Sequence, residues 1–129
     1  RRFREKMPTP HIRFVIDLDP WDFATLLKGA DCLIGNSSSG LKEAGFFGVP
    51  VVNIGTRQHG RFGSLRGEHI RDVGYDAAAI KQAIQEQLAH GSYPSSLAFY
   101  KPETSKRIRS ILKSVPLYTQ KRFHDSSLV

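Results

Sequence analysis

Short apolar runs alternate with amphipathic stretches along the chain, which is the pattern of an α/β fold with a parallel sheet. The pattern predicts strands over residues 11–17, 31–35, 50–54 and 68–73. These segments are rich in β-branched and aromatic residues, and the run at 50–54 is uninterrupted, as in central parallel strands. The expected sheet is therefore small, with about four strands, near the lower end of the usual range.

Helices are predicted where apolar residues recur three and four positions apart and where capping signals flank them. These segments cover residues 20–29, 39–47, 77–90 and 104–115. Asp19 before Pro20 and Asp76 before Ala77 are N-cap residues in the predicted structure. The helices and strands together predict an α/β fold with a parallel sheet flanked by helices.

The 129 residues, of which 40% are hydrophobic and 24% charged, fit one domain with its own core and leave no room for a second. We expect this α/β domain to cover residues 1–116, incomplete at its N-terminal side, and a tail to cover 117–129. No apolar run approaches the roughly 18 residues of a membrane span, and the N-terminus lacks the apolar core of a signal peptide. The expectation is a soluble, cytoplasmic protein with no membrane partner.

Lysine and arginine number 19 against 12 acidic residues, which gives a net charge of +7 and predicts an acidic partner. Nucleic acid is disfavoured, because the basic residues near the C-terminus share one helix side and have no aromatic residues interleaved for base stacking. The single cysteine, Cys32, is expected in the core, as is the single tryptophan, Trp21. No Cys/His cluster has metal spacing, so neither a metal nor a cofactor is predicted.

The segment with most chemical information follows the second predicted strand, which ends at Gly35. In an open α/β sheet ligands bind outside the carboxyl ends of the strands. Hydroxyls and the N–H groups of a helix start suit a phosphate there. The candidate phosphate ligands are Ser37, Ser38, Ser39 and Gly40.

Glu43 follows this turn, at a place where a carboxylate can accept hydrogen bonds from the two hydroxyls of a ribose. The alternative is that Glu43 complements the helix dipole and that the serines cap the helix. From local features alone the alternative is favoured. The turn matches neither GxGxxG nor GxxxxGK[ST], so neither dinucleotide nor P-loop chemistry is supported.

Taken together, these residues resemble the C-terminal part of the UDP-N-acetylglucosamine 2-epimerase family, and its hydrolysing branch most. The resemblance extends with decreasing strength from about residue 13 to the last helix. It is carried by GNSSSG at 35–40, EA at 43–44, GVPVVN at 48–53, IGTRQ at 54–58 and GR at 60–61.

The resemblance implies that the domain is Rossmann-like and is part of the second domain of a two-domain GT-B (glycogen-phosphorylase-like) fold. It implies that Ser37 and Ser38 bind the diphosphate of UDP, that Glu43 binds the ribose, and that Arg57 lines the cleft. With the family in view, ligand contact becomes the favoured interpretation of these residues. Arg61, in the same loop as Arg57, is a further candidate to face the diphosphate.

The implied function is binding of UDP or UDP-N-acetylglucosamine in an enzyme that releases N-acetylmannosamine and UDP. In the family the groups that transfer protons lie upstream of this segment, so we assign no catalytic residue, His59 included, and expect the chain alone to be inactive. A non-catalytic nucleotide-binding or assembly module and part of a GT-B glycosyltransferase remain alternatives. An uncovered strand edge would favour a homo-oligomer or association with an N-terminal half.

Overall fold

The computed structural model describes residues 10–116 in two compact units, of which the first ends at Phe99 and the second begins at Tyr100. The second unit contains helix α4, Thr104–Ser114, in which no residue is buried. The predicted division into a domain over 1–116 and a tail over 117–129 stays a prediction, because the tail lies outside the described residues.

The first unit is built on a parallel sheet of three strands in the order β1-β2-β3. The strands are β1, Leu33–Gly35, β2, Val51–Ile54, and β3, Ile70–Val73. Because all three are parallel, their carboxyl ends lie along one edge of the sheet. The predicted α/β class with a parallel sheet flanked by helices is confirmed.

The helices of this unit are α1, Pro20–Lys28, α2, Glu43–Phe47, and α3, Ala77–His90. The predicted caps are confirmed: the Asp19 carboxylate accepts hydrogen bonds from the amides of Trp21 and Asp22, and that of Asp76 accepts one from Ala79. Each cap satisfies N–H groups that have no partner inside the helix.

The core forms where α1 and α2 pack on the sheet. Leu27 of α1, Ala44 of α2 and Val51 of β2 lie in one buried cluster with Val49. Gln87 of α3 is buried as well. Its amide nitrogen donates to the carbonyls of Val51 and His69 at 2.9 and 3.0 Å, which ties α3 to the amino ends of β2 and β3.

The strand predicted over residues 11–17 is wrong. The segment has no regular secondary structure, and Ile16 is 97% exposed. A strand requires a hydrogen-bonded neighbour, and within residues 10–116 the sheet contains only β1, β2 and β3. The free edge of β1 therefore has no paired strand in the described part of the chain.

The helix predicted over residues 39–47 is also wrong in its first half. Ser38–Gly40 forms a 3₁₀ turn and the α-helix begins only at Glu43. The chain turns inward between them, since Leu41 is 1% exposed. Gly40 approaches β2 so closely that a Cβ there would lie 3.0 Å from a methyl group of Val51.

Several residues expected in the core are exposed. Trp21 is 84% exposed, and the apolar Leu26 on the same helix is 60% exposed. Cys32 is only partly buried, although burial still raises the pKa of its thiol. On α4 the apolar residues Ile108, Ile111 and Leu112 are all more than half exposed. Periodicity identified the apolar faces, but it carried no information on whether another element covers them.

Candidate functional site

Two segments meet at the carboxyl edge of the sheet. The serine turn, residues 36–40, follows β1, and the arginine loop, residues 55–67, follows β2. The side-chain amide of Gln58 donates to the backbone carbonyl of Asn36 at 2.6 Å. Arg57 donates more weakly to the Asn36 side-chain oxygen at 3.4 Å. The two segments that the sequence pointed to are thus joined directly.

The N–H groups at the predicted helix start, residues 39–42, are all bonded within this region. Gly40 donates to the carbonyl of Ser37, and Leu41 and Lys42 donate to that of Ser38, at 3.0–3.2 Å. The Ser37 hydroxyl caps the turn by accepting from the Ser39 amide at 3.3 Å, and it lies 2.9 Å from the Ser39 hydroxyl. The expectation that free N–H groups of a helix start at Ser39 face a ligand is therefore wrong. An anion at this turn would meet serine hydroxyls rather than the N–H groups of residues 39–42.

The His69 ring holds the serine turn through a hydrogen bond. It is buried, and its Nε2 lies 3.0 Å from the Gly40 carbonyl oxygen. Because a carbonyl can only accept, Nε2 carries the proton. The ring leaves no room for a side chain on α2, since a Cβ at Gly45 would lie 2.7 Å from its Cε1. His69 therefore links β3 to both the serine turn and α2.

Burial lowers the pKa of His69, and the positive charge of Arg66 lowers it further. The hydrogen bond to the Gly40 carbonyl acts in the opposite direction and raises the pKa, but burial has the larger effect. The unfolded chain, with an ordinary pKa near 6.5, takes up a proton at a higher pH than the folded chain does. We therefore expect the free energy of unfolding to fall as the pH is lowered from about 7.5 to 5.5. Urea unfolding across this range measures the slope.

His69→Gln should flatten this slope, whatever its effect on stability at pH 7.5. The exposed His59 provides the matched control, because His59→Gln should keep the slope. An unchanged slope in His69→Gln would show that other groups cause the pH dependence.

A hydrogen-bond network fixes the arginine loop. Gln58 is fully buried, and its side-chain oxygen accepts from Arg61 at 3.2 Å. Nη1 of Arg66 donates to the backbone carbonyl of Gln58 at 3.2 Å, and Nη2 lies 2.5 and 2.6 Å from the two carboxylate oxygens of Asp72. Asn53 on β2 donates to the same carboxylate at 2.6 Å, across the register that pairs it with Asp72. The loop is thus anchored to both β2 and β3.

The three arginines of the loop differ in how far their charge is neutralised. Arg66 is paired with a carboxylate. Arg57 and Arg61 are exposed and bind neutral amide oxygens, and within residues 10–116 neither has a carboxylate within 4.0 Å. Two uncompensated guanidinium groups therefore lie at the edge that carries the serine hydroxyls. Guanidinium groups suit phosphate oxygens, which they can bind in a bidentate manner.

A comparison of the sequence with protein families gives the decisive observation: the profile of the UDP-N-acetylglucosamine 2-epimerase family matches residues 1–113. The chain belongs to this family. The family resemblance that the sequence motifs suggested is thereby confirmed.

Individual relatives agree with the family. A UDP-N,N'-diacetylbacillosamine 2-epimerase (hydrolyzing) from Legionella pneumophila is 33% identical over 91% of this chain, but over only 30% of its own length. A UDP-N-acetylglucosamine 2-epimerase from Neisseria meningitidis is also 33% identical, over 92% of this chain and 31% of the relative. A GDP/UDP-N,N'-diacetylbacillosamine 2-epimerase (hydrolyzing) from Campylobacter jejuni is 37% identical over 75% of this chain and 25% of the relative. The chain thus spans about 30% of the length of these epimerases.

In this member of the epimerase family the structure brings together most of the residues singled out from the sequence. The serine turn contacts Arg57, and Arg61 joins the same network through Gln58. Glu43 is exposed at the first position of α2, two residues beyond the buried Leu41. The ligand contacts of these residues remain predictions.

The supporting roles of Gln58, His69 and the Arg66–Asp72 pair were not predicted from the sequence. A signal existed in β2, because Asn53 is the polar residue of an otherwise aliphatic strand and is 1% exposed. A polar side chain at such a position requires hydrogen-bonding partners and so indicates a buried network. Among residues 10–116 no group of three or more His, Cys, Asp and Glu side chains could hold a metal ion, and no helix is long and apolar enough to cross a membrane.

Proposed function

We propose that this chain is the UDP-binding part of a hydrolysing UDP-N-acetylglucosamine 2-epimerase, an enzyme that releases N-acetylmannosamine and UDP. The observation that carries the proposal is the junction of the serine turn with two uncompensated arginines, at the carboxyl edge of a parallel sheet in a member of this family. Ligands of open α/β sheets bind at this edge.

In this proposal the diphosphate of UDP lies at the serine turn. Ser37, Ser38 and Ser39 offer hydroxyl donors, and Gly40 keeps the turn close to β2. Arg57 and Arg61 approach from the facing loop and supply charge that no described carboxylate neutralises. Hydroxyl donors on one side and guanidinium groups on the other match the oxygens of a diphosphate, which accept hydrogen bonds and carry negative charge.

Glu43 accepts hydrogen bonds from the ribose. Its position at the start of α2 and its exposure leave the carboxylate accessible. The alternative, that it complements the dipole of α2, is weaker in the structure than in the sequence, because α2 has only five residues. A helix of that length has a small macrodipole.

The same residues suit the departure of UDP from the sugar. Negative charge develops on the diphosphate as the bond to C1 breaks, and prepositioned arginines and hydroxyls stabilise it. Removal of the C2 proton requires a base within hydrogen-bond reach of that proton. In the proposal this base comes from outside the chain, so the chain binds and orients UDP without turning the substrate over.

Titration calorimetry with the full chain tests the proposal. We expect UDP to bind, uridine to bind at least about tenfold more weakly because it lacks the diphosphate, and UDP-N-acetylglucosamine to bind without release of UDP. An oligonucleotide is the control ligand, since a nucleic-acid binder would show affinity that falls steeply with salt. Equal affinities for UDP and uridine would refute the assignment of the serine turn, and release of UDP would refute the absence of a base.

A further inference from the structure

Gln58 occupies an unusual place for a polar residue of a surface loop. It is fully buried, while Arg57 and His59 on either side are exposed. Its side chain contacts both halves of the candidate site: the amide nitrogen donates to the Asn36 carbonyl at 2.6 Å, and the amide oxygen accepts from Arg61 at 3.2 Å. A single side chain therefore bridges the serine turn and one of the two uncompensated arginines.

The chemistry of these two contacts requires a primary amide. The Asn36 carbonyl can only accept, and the Arg61 guanidinium can only donate, so the bridging group must donate on one side and accept on the other. The amide orientation follows as well, because the opposite orientation would place oxygen against oxygen and N–H against N–H. A carboxylate at this position would repel the Asn36 carbonyl and would neutralise Arg61.

The backbone of Gln58 is held separately. Its carbonyl accepts from Arg66, whose guanidinium is fixed in turn by Asp72 on β3. The side chain is thus free to act as a spacer of defined length between two groups, while the main chain stays anchored to the sheet. Because the amide oxygen is neutral, Arg61 is oriented without loss of its charge.

We propose that Gln58 is a positioning residue of the diphosphate site: it sets the spacing of the serine turn and the arginine loop and aims Arg61 at the ligand. This inference rests on the proposed function for the identity of the ligand. It predicts that Gln58 contributes to UDP affinity through Arg61, although it is itself buried and does not touch UDP.

The test is a double-mutant cycle on UDP affinity in the full chain. Gln58→Met keeps the side-chain volume and removes both hydrogen bonds, and Gln58→Ala is the second variant. We expect Gln58→Met to weaken UDP binding about tenfold, the scale of about one hydrogen bond. In the Arg61→Ala background the same substitution should weaken binding by only about threefold or less, because the aiming of Arg61 is already lost and only the spacing of turn and loop remains to be changed.

Gln87→Met is the matched control. Gln87 is also a buried glutamine that donates to backbone carbonyls, but it lies at the amino ends of β2 and β3. It should lower stability and leave UDP affinity unchanged. Equal losses of affinity in both glutamine variants, or a Gln58 effect that persists in full without Arg61, would overturn the positioning role.

Hydrogen exchange separates this inference from the proposed function, because it needs no ligand. Gln58→Met should speed exchange of the Gly40 and Leu41 amides, which are bonded within the serine turn, while Gln87→Met should not. If the wild-type chain fails to bind UDP but this exchange pattern holds, the diphosphate assignment is wrong and the coupling of turn and loop is right. Unchanged exchange in Gln58→Met would overturn the coupling itself.

Discussion

Glu43→Ala should weaken the binding of UDP by about 30-fold and leave the binding of inorganic pyrophosphate within about twofold. Two ribose hydroxyls that donate to one carboxylate form charge-assisted hydrogen bonds, whose loss costs about 2 kcal/mol, or a factor of about 30. Pyrophosphate has no ribose, so it loses nothing. Calorimetric titration of both ligands into the variant and the wild-type chain measures the two ratios.

Glu43→Ala changes the net charge as well as any contact with the ribose, so a control is needed for the effect of charge on affinity. Removal of a carboxylate raises the net charge of +7 by one, which favours any anion slightly. Glu68→Ala makes the same change at another exposed carboxylate, and it should leave both affinities within about twofold. If Glu43→Ala weakens UDP and pyrophosphate equally, Glu43 does not bind the ribose.

Those elements of the fold whose signals are local could be predicted from the sequence. Asp76 precedes a helix that begins and ends where the pattern placed it, Ala77–His90, and Asp19 with Pro20 fixes the start of α1. A cap and a periodic face lie within one segment, so a single sequence contains the whole signal.

Elements that depend on distant partners could not be predicted. Residues 11–17 have the composition of a strand, but pairing requires a second strand that the described chain does not supply. The break between the 3₁₀ turn at Ser38–Gly40 and α2 arises because Gly40 packs against Val51 and His69 binds its carbonyl. Both contacts come from residues later in the chain, at β2 and just before β3. The periodicity of residues 39–47 therefore contains no information about them.

The candidate site shows the same division. The serine turn and Arg57 were evident, because their chemistry lies in short motifs at the ends of strands. The sequence did not indicate which arginine has a carboxylate partner, because Asp72, which pairs with Arg66, lies on a separate strand. Because Arg66 and Asp72 cancel, this pair adds nothing to the net charge of +7, whereas Arg57 and Arg61 contribute to it and are available to an anion.

The glycine that ends α2 joins this helix to the segment beyond α3. Gly48 has a φ of +71° in the left-handed region. Its carbonyl accepts from the amide of Tyr93, and Ser96 donates to the carbonyl of Gly45 one turn earlier, both at 2.8 Å. The chain that follows α3 therefore lies directly against the end of α2, at a distance that only a residue without a Cβ permits.

Gly48→Ala should lower the free energy of unfolding by about 3 kcal/mol or more. Left-handed backbone costs a residue with a Cβ about 1–2 kcal/mol, and here the Cβ would also lie 3.2 Å from the carbonyl carbon of Tyr93 and collide with its oxygen. Gly60→Ala is the matched control, because Gly60 has a φ of +68° and no atom within 4 Å of an added Cβ. Gly60→Ala should lower the free energy of unfolding only by the cost of the left-handed backbone conformation. Urea unfolding of both variants gives the difference, and a Gly48→Ala loss no greater than that of Gly60→Ala would show that the Tyr93 segment moves away at no cost.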